Sequence, residues 1–400
     1  MPVAIVAAVV VAEAAVALMW PRHGVIEPAP VRAASYFSGA EIERGRDFRR
    51  PQLLLSLAVL ALEFGILAWL VRRPPRRLRG PFRRPIVAAA VAGAALSILL
   101  SAAPLPLKVA ARQRAKDVGL VTQSWGGYAF DLVRSWAIGA VFAAIGAAIA
   151  VALIRRWPRT WWIPGSVAIV AFGAISTYAA PVVLDPIFNK FTPVPDGRTR
   201  SDVLELARRA GVDVGQVYVM DASKRTTAAN AYVNGLGHTK RVVLYDNLLD
   251  DFSREEVRLV VAHELGHVRY DDVPRGLVWL AIATPFGLFA ASRMTLRLAP
   301  REDRAGPAVL PALALSVTAI AFLLTCVSNQ LSRRVEARAD SFALQLTHET
   351  EAFISFQRRI AIQNGSDPDP WGWSSFLLGT HPTTIDRIGA GVAEARALGR

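Results

Sequence analysis

The stretch 253–274, SREEVRLVVAHELGHVRYDDVP, is the part of the chain from which the fold can best be interpreted. Ser253 and Glu256 have the spacing of a capping box, which marks the start of a helix. Apolar residues then recur at the helical period as far as position 268. Asp271, Asp272 and Pro274 are typical of a helix end, so we expect one amphipathic helix between these signals.

Two histidines of this helix have the spacing of metal ligands. His263 and His267 are four residues apart, so their side chains lie one turn apart on one face and can share a cation. Glu264 follows the first histidine and can take a proton from a water molecule there. Two imidazoles and a neighbouring carboxylate are what a zinc hydrolase requires, so we predict one Zn²⁺ per chain. The alternative is that these residues lie on the helix surface without binding a metal. A third ligand is needed to exclude this alternative.

A candidate third ligand follows the last apolar run of the chain. Glu336 and Asp340 are again four residues apart and lie on one face of a predicted helix. The last two apolar runs form a hairpin, which returns the chain to the side where His267 lies. Glu336 then completes a two-His, one-Glu site, and Asp340 can accept the free ring N–H of a ligand histidine. The alternative is that both acids pair only with nearby arginines, namely Arg333, Arg334 and Arg338.

The composition indicates a membrane protein. Hydrophobic residues make up 53% of the 400, which is unusual for a soluble chain. A helix needs about 20 mainly apolar residues to cross the hydrocarbon of a bilayer. Seven runs meet this condition: 3–20, 52–71, 86–107, 135–154, 161–184, 275–292 and 307–328. The first has no basic residue before it and contains Glu13, so we expect a retained span instead of a cleaved signal peptide.

The remaining segments divide the chain into four parts. We predict an N-terminal membrane domain at 1–184 with five spans, a catalytic segment at 185–274, a transmembrane hairpin at 275–328 and a C-terminal catalytic segment at 329–400. The first catalytic segment is predicted to be mixed α and β. Its elements are a helix at 201–210 ended by Gly211, strands at 216–220, 230–234 and 241–245, and a hairpin-like turn at 235–237.

The charge pattern bears on partners and location. The net charge of +14 comes from 41 Arg and 5 Lys, with clusters such as Arg72–Arg79 between predicted spans. Such clusters suit anionic lipid headgroups and argue against nucleic acid as a partner. The preference for Arg indicates GC-rich coding and a bacterial cell membrane, and basic residues near the spans slightly favour a catalytic site that faces the cytoplasm. Cys326 is the only cysteine, so no internal disulfide forms.

Several motifs in order resemble the type I CaaX prenyl endopeptidases, membrane zinc metallopeptidases of family 48 whose relatives include the HtpX-type quality-control proteases. The matching segments cover most of the chain: LDPIFNKFTPVPD at 184–196, NAY at 230–232, RVVLYDNLL at 241–249, HELGH at 263–267, SRRVE at 332–336 with Ala339 and Asp340, and HPTTIDR at 381–387.

This resemblance implies roles that spacing alone does not. His263, His267 and Glu336 would be the zinc ligands, Glu264 the general base and acid, and Asp340 the partner of a ligand histidine. Asn230 would bind the substrate backbone. His381 and Arg387 would contact substrate or the developing oxyanion, although from the residues alone they are a histidine-proline turn and a surface salt bridge. The implied fold is mainly α: about seven transmembrane helices around a water-filled chamber, with a zincin-like (gluzincin) α+β catalytic domain.

Two other classes of protein stay open at this point. Intramembrane zinc proteases of the site-2 class carry the same motif inside an apolar span, but here charged residues flank it: Arg254, Glu255, Glu256, Arg269, Asp271 and Asp272. A receptor or transporter with a vestigial metal site is the non-enzymatic alternative. The sequence does not decide whether the substrates are hydrophobic, membrane-associated or CaaX-like peptides or proteins. It does not determine the oligomeric state either.

Overall fold

The computed structural model describes residues 1–80, 82–235, 240–299 and 304–399, and helices dominate it. The helices are α1 (Pro2–Met19), α2 (Gly39–Arg72), α3 (Pro85–Ala102), α4 (Leu105–Asp117), α5 (Trp125–Arg156), α6 (Trp162–Val183), α7 (Asp185–Phe188), α8 (Arg198–Ala210), α9 (Asp246–Asp251), α10 (Arg254–Arg269), α11 (Asp272–Leu298), α12 (Leu310–Thr347), α13 (Thr350–Gln363), α14 (Gly372–Leu378) and α15 (Thr384–Ala397). The strands are β1 (Phe191–Pro193), β2 (Gln216–Met220), β3 (Ala231–Asn234) and β4 (Arg241–Tyr245).

In the described part of the chain, seven helical segments are long and apolar enough to cross a membrane, which confirms the predicted number. They are α1, α2, α3, α5, α6 with α7, α11, and α12 with the turn before it. Several are longer than the apolar runs suggested. The 38 residues of α12 extend over about 57 Å at 1.5 Å per residue, well beyond a hydrocarbon layer of about 30 Å. The last span and the segment with Glu336 and Asp340 are therefore one continuous helix.

The spans pack loosely against one another. At most 39% of the most apolar window of any span is buried inside the protein, and for the α6 span none of it is. α3 packs on α5, and α1, α11 and α12 form a second group. Small side chains make these contacts close, for example Ala8, Ala89 and Ala147, which are all buried in one cluster. The water-filled chamber between the spans stays a prediction.

A small sheet in the order β1-β2-β4-β3 lies beside α10. β2 and β4 are parallel, whereas β3 pairs antiparallel with β4, with Tyr232 opposite Val243. The three predicted strands are confirmed, although β3 begins at Ala231 and not at Asn230. β1 was not predicted, since it has only three residues and ends in a proline. The predicted turn at 235–237 lies outside the described residues beyond Gly235.

The catalytic unit has its own hydrophobic core between the sheet, α8 and α10. Leu206, Val242, Leu244, Val261 and Leu265 are buried in this core. α8 ends at Ala210, and Gly211 follows it as predicted. The φ of 67° at Gly211 is the left-handed conformation that glycine adopts readily.

The predicted start and end of α10 are confirmed. Ser253 Oγ accepts a hydrogen bond from the Glu256 N–H, and the Glu256 carboxylate accepts one from the Ser253 N–H. Glu256 is buried and also pairs with Arg359 on α13. α10 ends at Arg269, and Asp271 adopts a left-handed conformation with φ 54°. The sixth span then begins at once, so Asp272 is the first residue of α11 and not merely a helix terminator.

The chain between α1 and the membrane part of α2 packs on the C-terminal segment. The Ile26 N–H donates to Ser341 Oγ at 2.8 Å, and Glu41 pairs with Arg358 at 2.7 Å. Phe37 is buried with Ala361 of α13 and Ile388 of α15. Part of the predicted N-terminal membrane domain thus contributes to the catalytic unit, and the division into four parts stays a prediction.

Candidate metal centre

The two histidines of α10 and Glu336 of α12 meet at one point. The Nε2 atoms of His263 and His267 lie 3.2 Å apart. Glu336 Oε2 lies 3.2 Å from His263 Nε2, and Oε1 lies 3.6 Å from His267 Nε2. The α11–α12 hairpin therefore brings the three predicted ligands together, as expected from its topology.

This donor set fits a tetrahedral zinc ion. Its three ligand atoms all lie within 4.8 Å of one another. Zinc–nitrogen and zinc–oxygen bonds of about 2.0–2.1 Å give ligand–ligand separations of about 3.3 Å in a tetrahedron, which the observed separations approach. Among the described residues, the buried Oε2 of Glu336 has no hydrogen-bond donor of its own. A cation at this point would supply the partner that this oxygen lacks.

Two aspartates hold the opposite edges of the histidine rings. Asp340 Oδ1 lies 2.9 Å from His263 Nδ1, and Asp272 Oδ2 lies 2.9 Å from His267 Nδ1. Each carboxylate can accept an Nδ1–H, which leaves both Nε2 lone pairs free for a metal. Asp340 was predicted in this position, whereas Asp272 was missed because it was assigned only to the helix end. Its signal was available: an aspartate five residues after the second histidine, just beyond the end of the helix.

The arginines near Glu336 bind elsewhere in the described part of the chain. Arg333 donates to the backbone oxygens of Ser375, Phe376 and Gly379. Arg334 pairs with Glu27, and Arg338 pairs with Asp272. The alternative that these three arginines neutralise Glu336 and Asp340 is therefore wrong. Asp340 pairs instead with Arg387, through two hydrogen bonds of 2.7 and 2.6 Å.

Close packing of α10 on α12 brings the ligands into this geometry. Gly266 faces α12, where a β-carbon would lie 3.1 Å from the ring of Phe342 and 3.4 Å from Cα of Ala339. A β-carbon here would therefore require the Phe342 ring to shift by a few tenths of an ångström. Glycine in the motif thus suits the close packing of the two helices.

The charges around the site favour a cation. Burial lowers the pKa of His263, but the neighbouring carboxylates of Asp340 and Glu336 together outweigh it and raise the pKa to about 10. The ring therefore lies where positive charge is strongly favoured. Buried carboxylates that attract a proton in this way attract a divalent metal ion as well.

Glu264 lies beside the two histidines with its carboxylate in a small cavity. Burial raises the pKa of this carboxyl, while the charges of His263 and His267 lower it. A raised pKa suits a group that must take up a proton and release it in one catalytic cycle. The same cavity of about 100 Å³ is lined by Asn230, Asp340, His381 and Arg387.

The remaining predicted residues surround this cavity. His381 Nε2 lies 3.3 Å from Glu336 Oε2, and its side chain is 56% exposed. Asn230 is exposed at the start of β3. Arg387 is largely covered and bound to the buried Asp340, so it is not in a surface salt bridge. The structure thus brings all eight predicted site residues to one place, while their individual roles stay predictions.

We expect Asp272→Asn to lower metal affinity about 10–100-fold, because loss of the carboxylate that orients a ligand histidine typically costs that much. The measurement is a competitive metal titration against a chelating dye, with the protein in detergent. Asp271→Asn is the matched control, since Asp271 is exposed and asparagine tolerates its left-handed conformation. Equal affinities of the two variants would contradict the role of Asp272.

The position of the site relative to the spans bears on the intramembrane alternative. α10 is not among the helices that can cross a membrane, and its first residues carry charged side chains. α11 enters its span only after Asp272. The metal centre therefore lies at the end of two spans, which does not agree with a site-2 arrangement inside the membrane.

Comparisons with known proteins agree with this geometry. Residues 193–394 match Peptidase family M48, and residues 52–190 match the CAAX prenyl protease N-terminal family, described as five membrane helices. The metalloprotease YhfN of Bacillus subtilis is 31% identical over 300 residues, 73% of this chain and 70% of that protein. The CAAX prenyl protease 1 homolog of Oryza sativa is 32% identical over 221 residues, 52% of this chain and 51% of that protein.

The fold has a close counterpart among solved structures. The crystal structure of S. mikatae Ste24p superposes with a TM-score of 0.75 at 18% sequence identity. The match covers 97% of this chain and 99% of that one, so the two share the whole fold. With the family match over more than half of its length, the chain belongs to peptidase family M48, as a multi-pass membrane metallopeptidase.

Proposed function

We propose that the protein is a membrane-embedded zinc endopeptidase that holds one Zn²⁺ per chain through His263, His267 and Glu336. The observation that carries the proposal is the convergence of two Nε2 atoms and a carboxylate within 4.8 Å, next to Glu264. When bound, zinc would polarise the scissile carbonyl and make water acidic enough to lose a proton at neutral pH.

The chain's own side chains account for the proton transfers. Glu264 takes a proton from water and later donates it to the leaving amine. Asp340 and Asp272 hold the two histidine rings in the tautomer that keeps Nε2 available. His381 lies next to Glu336 and is exposed to the cavity side, where it can donate to the oxygen on which charge develops.

Substrate backbone would bind along the edge of the sheet. Among the described residues β3 is the last strand of the sheet, so its outer edge could pair with an extended peptide. Asn230 immediately precedes this strand and lines the cavity beside Glu264. Main-chain pairing of this kind selects an extended peptide more than a particular sequence. Arg387 lines the same cavity and would contact the substrate there.

The substrates proposed are hydrophobic, membrane-associated or CaaX-like peptides and proteins. Several relatives are named CAAX prenyl protease 1 or a homolog of it, but the chain spans only about half the length of the rice and Saccharomyces cerevisiae proteins, 51% in each case. The metal centre at the end of two spans would receive segments that leave a membrane. The preference for Arg favours a bacterial cell membrane as the location. The site would face the cytoplasm, because basic residues near the spans are slightly more frequent on the catalytic side.

The first test is metal removal. Treatment of the detergent-purified protein with 1,10-phenanthroline should abolish cleavage of a hydrophobic peptide pool, and zinc should restore it after the chelator is removed. Metal analysis should find about one zinc per chain in the active protein, the number that one three-ligand site holds. Cleavage that survives complete metal removal would refute the zinc mechanism. Wild-type protein that binds zinc but cleaves no peptide would favour the non-catalytic alternative.

A further inference from the structure

A second pocket lies between the ends of two spans, away from the metal centre. Its walls come from the first turns of α5, from α7 at the end of the next span, and from the chain that precedes β1 and follows β2. Its volume is about 520 Å³. Small-molecule sites in proteins have volumes of about 300–1,000 Å³, so this pocket is large enough for a ligand of its own.

The apolar runs place this pocket at the surface of the bilayer. Arg134 directly precedes the run 135–154, and Ile187 follows the run 161–184. Each run is long enough to cross the hydrocarbon, so its ends lie close to the level of the lipid headgroups. Arg134 Nη1 donates to the Ile187 carbonyl oxygen at 2.9 Å, which shows that the two ends lie at the same level.

The pocket has a surplus of positive charge. One acidic side chain lines it, against four basic ones: Asp131, against Arg134, Lys190, Lys224 and Arg225. Asp131 is already paired, because its Oδ2 lies 2.9 Å from Arg225 Nε. Lys224 pairs with Asp221. Arg134 and Lys190 have no acidic partner among the described residues, where the Arg134 side chain donates only to a backbone oxygen. An anion in the pocket would supply the missing partner.

Contacts within the protein hold the Arg134 guanidinium in place. Its Cζ lies 3.9 Å from the centre of the Phe130 ring, and the Ile187 carbonyl accepts one of its N–H groups. A guanidinium has five N–H donors, so the others remain for a ligand. The planar arrangement of these donors matches the oxygens of a phosphate. A donor group that is fixed before the ligand arrives loses less conformational entropy on binding.

The membrane side of the pocket continues into exposed apolar surface. Large apolar side chains are exposed on α5, α6 and α7 near these ends: Phe130, Val133, Val182, Val183 and Ile187. The span of α6 buries none of its most apolar window inside the protein. A soluble anion would leave this surface uncovered, whereas the acyl chains of a lipid would cover it. The combination of cationic pocket and apolar surface therefore favours a lipid as the ligand.

We propose that this pocket binds the headgroup of an anionic phospholipid, with the phosphate on Arg134 and Lys190 and the acyl chains along α5 and α6. Basic pockets between spans typically bind such headgroups. Phosphatidylcholine has the same phosphate, but its choline would add a positive charge to a pocket that already has a surplus. The bound lipid would join the spans to the catalytic unit, because Arg134 belongs to α5 and Lys190 directly precedes β1. The proposal does not depend on the metal centre.

The test titrates the full-length protein in detergent with phosphatidylglycerol or with phosphatidylcholine of the same acyl chains, and measures bound lipid by native mass spectrometry. The first phosphatidylglycerol should bind at least about tenfold more tightly than phosphatidylcholine. Glycerol 3-phosphate, which has the phosphate but no acyl chains, should not displace it. Equal binding of the two lipids would overturn the proposal. Displacement by glycerol 3-phosphate would overturn it too, since the site would then accept a soluble phosphate.

Variants assign the binding to this pocket. Arg134→Gln combined with Lys190→Gln should lower the affinity for the first phosphatidylglycerol at least about tenfold. Arg76→Gln combined with Arg77→Gln is the matched control, because it removes the same charge from exposed positions between α2 and α3, at the other end of the spans. The control should keep the wild-type affinity. Wild-type affinity in the pocket variant, or an equal loss in the control, would refute the assignment.

A second variant keeps the test decisive if the loss of Arg134 prevents folding. Lys190→Gln combined with Lys224→Gln changes two exposed side chains of the same pocket and leaves the contact between α5 and α7 intact. It should also bind phosphatidylglycerol more weakly than the control does. If this variant binds phosphatidylglycerol as tightly as the wild-type protein, the pocket is not the lipid site.

Discussion

Glu264→Gln is expected to keep about one zinc per chain and to lose about 10²–10⁴-fold in kcat, the range attributed to general acid–base catalysis. Glutamine has nearly the same shape as glutamate but cannot accept the proton of an attacking water. Glu264 is not one of the three converging ligands, so the metal should stay bound. Metal analysis and peptide cleavage on the same preparation are the measurements.

A matched substitution makes the Glu264 result specific. Glu255→Gln changes the same residue type on the same helix at an exposed position in the first turn, and should leave both zinc content and cleavage unchanged. If Glu264→Gln cleaved at the wild-type rate, Glu264 would not be the general base. If it lost its zinc, the residue would have to be assigned to metal binding.

Glu336→Ala is expected to have the largest effect on metal binding. It removes one of three ligands and leaves His263 and His267 without the carboxylate that lies 3.2 and 3.6 Å from their Nε2 atoms. Loss of an outer partner costs about 10–100-fold in affinity, so loss of a direct ligand should exceed about 100-fold and abolish cleavage at ordinary zinc concentrations. Zinc content after dialysis, and competition with a chelating dye, provide the measurements.

Glu351→Ala is the control for this variant, because Glu351 is exposed at the start of α13. It should retain zinc and activity. Excess zinc should restore part of the activity of Glu336→Ala if the loss is one of affinity. A Glu336→Ala protein that binds zinc as tightly as wild type would show that the third ligand lies elsewhere.

The elements that could be predicted from sequence are those with strong local signals. α10 follows from its capping box and helical period, and the seven spans follow from apolar length. Strands β2 and β4 lie at the predicted residues because each is a short apolar run between turn signals. β1 was missed because three residues with a proline carry no such signal, and it forms only by pairing with β2.

The metal ligands could be predicted from the sequence, but not all of the residues that contact them. His263 and His267 are close because they are one helical turn apart, which spacing alone establishes. Asp272 was taken for a helix terminator, since its contact with His267 depends on how α11 leaves the end of α10. From the residues alone, Arg387 would belong to a surface salt bridge, and only the resemblance placed it near the substrate. Its pair with Asp340 is covered because α15 packs on α12 and α13.

The sequence by itself therefore determined the membrane architecture, the helix of the metal motif and the identity of the candidate ligands, because these depend on periodicity and composition within short stretches. Only the tertiary structure decided which acids orient the histidines and which arginines pair with those acids. These are contacts between residues far apart in the sequence, such as His263 on α10 and Asp340 on α12, which are 77 positions apart. Such contacts arise from helix packing, which leaves no periodic signal in the chain.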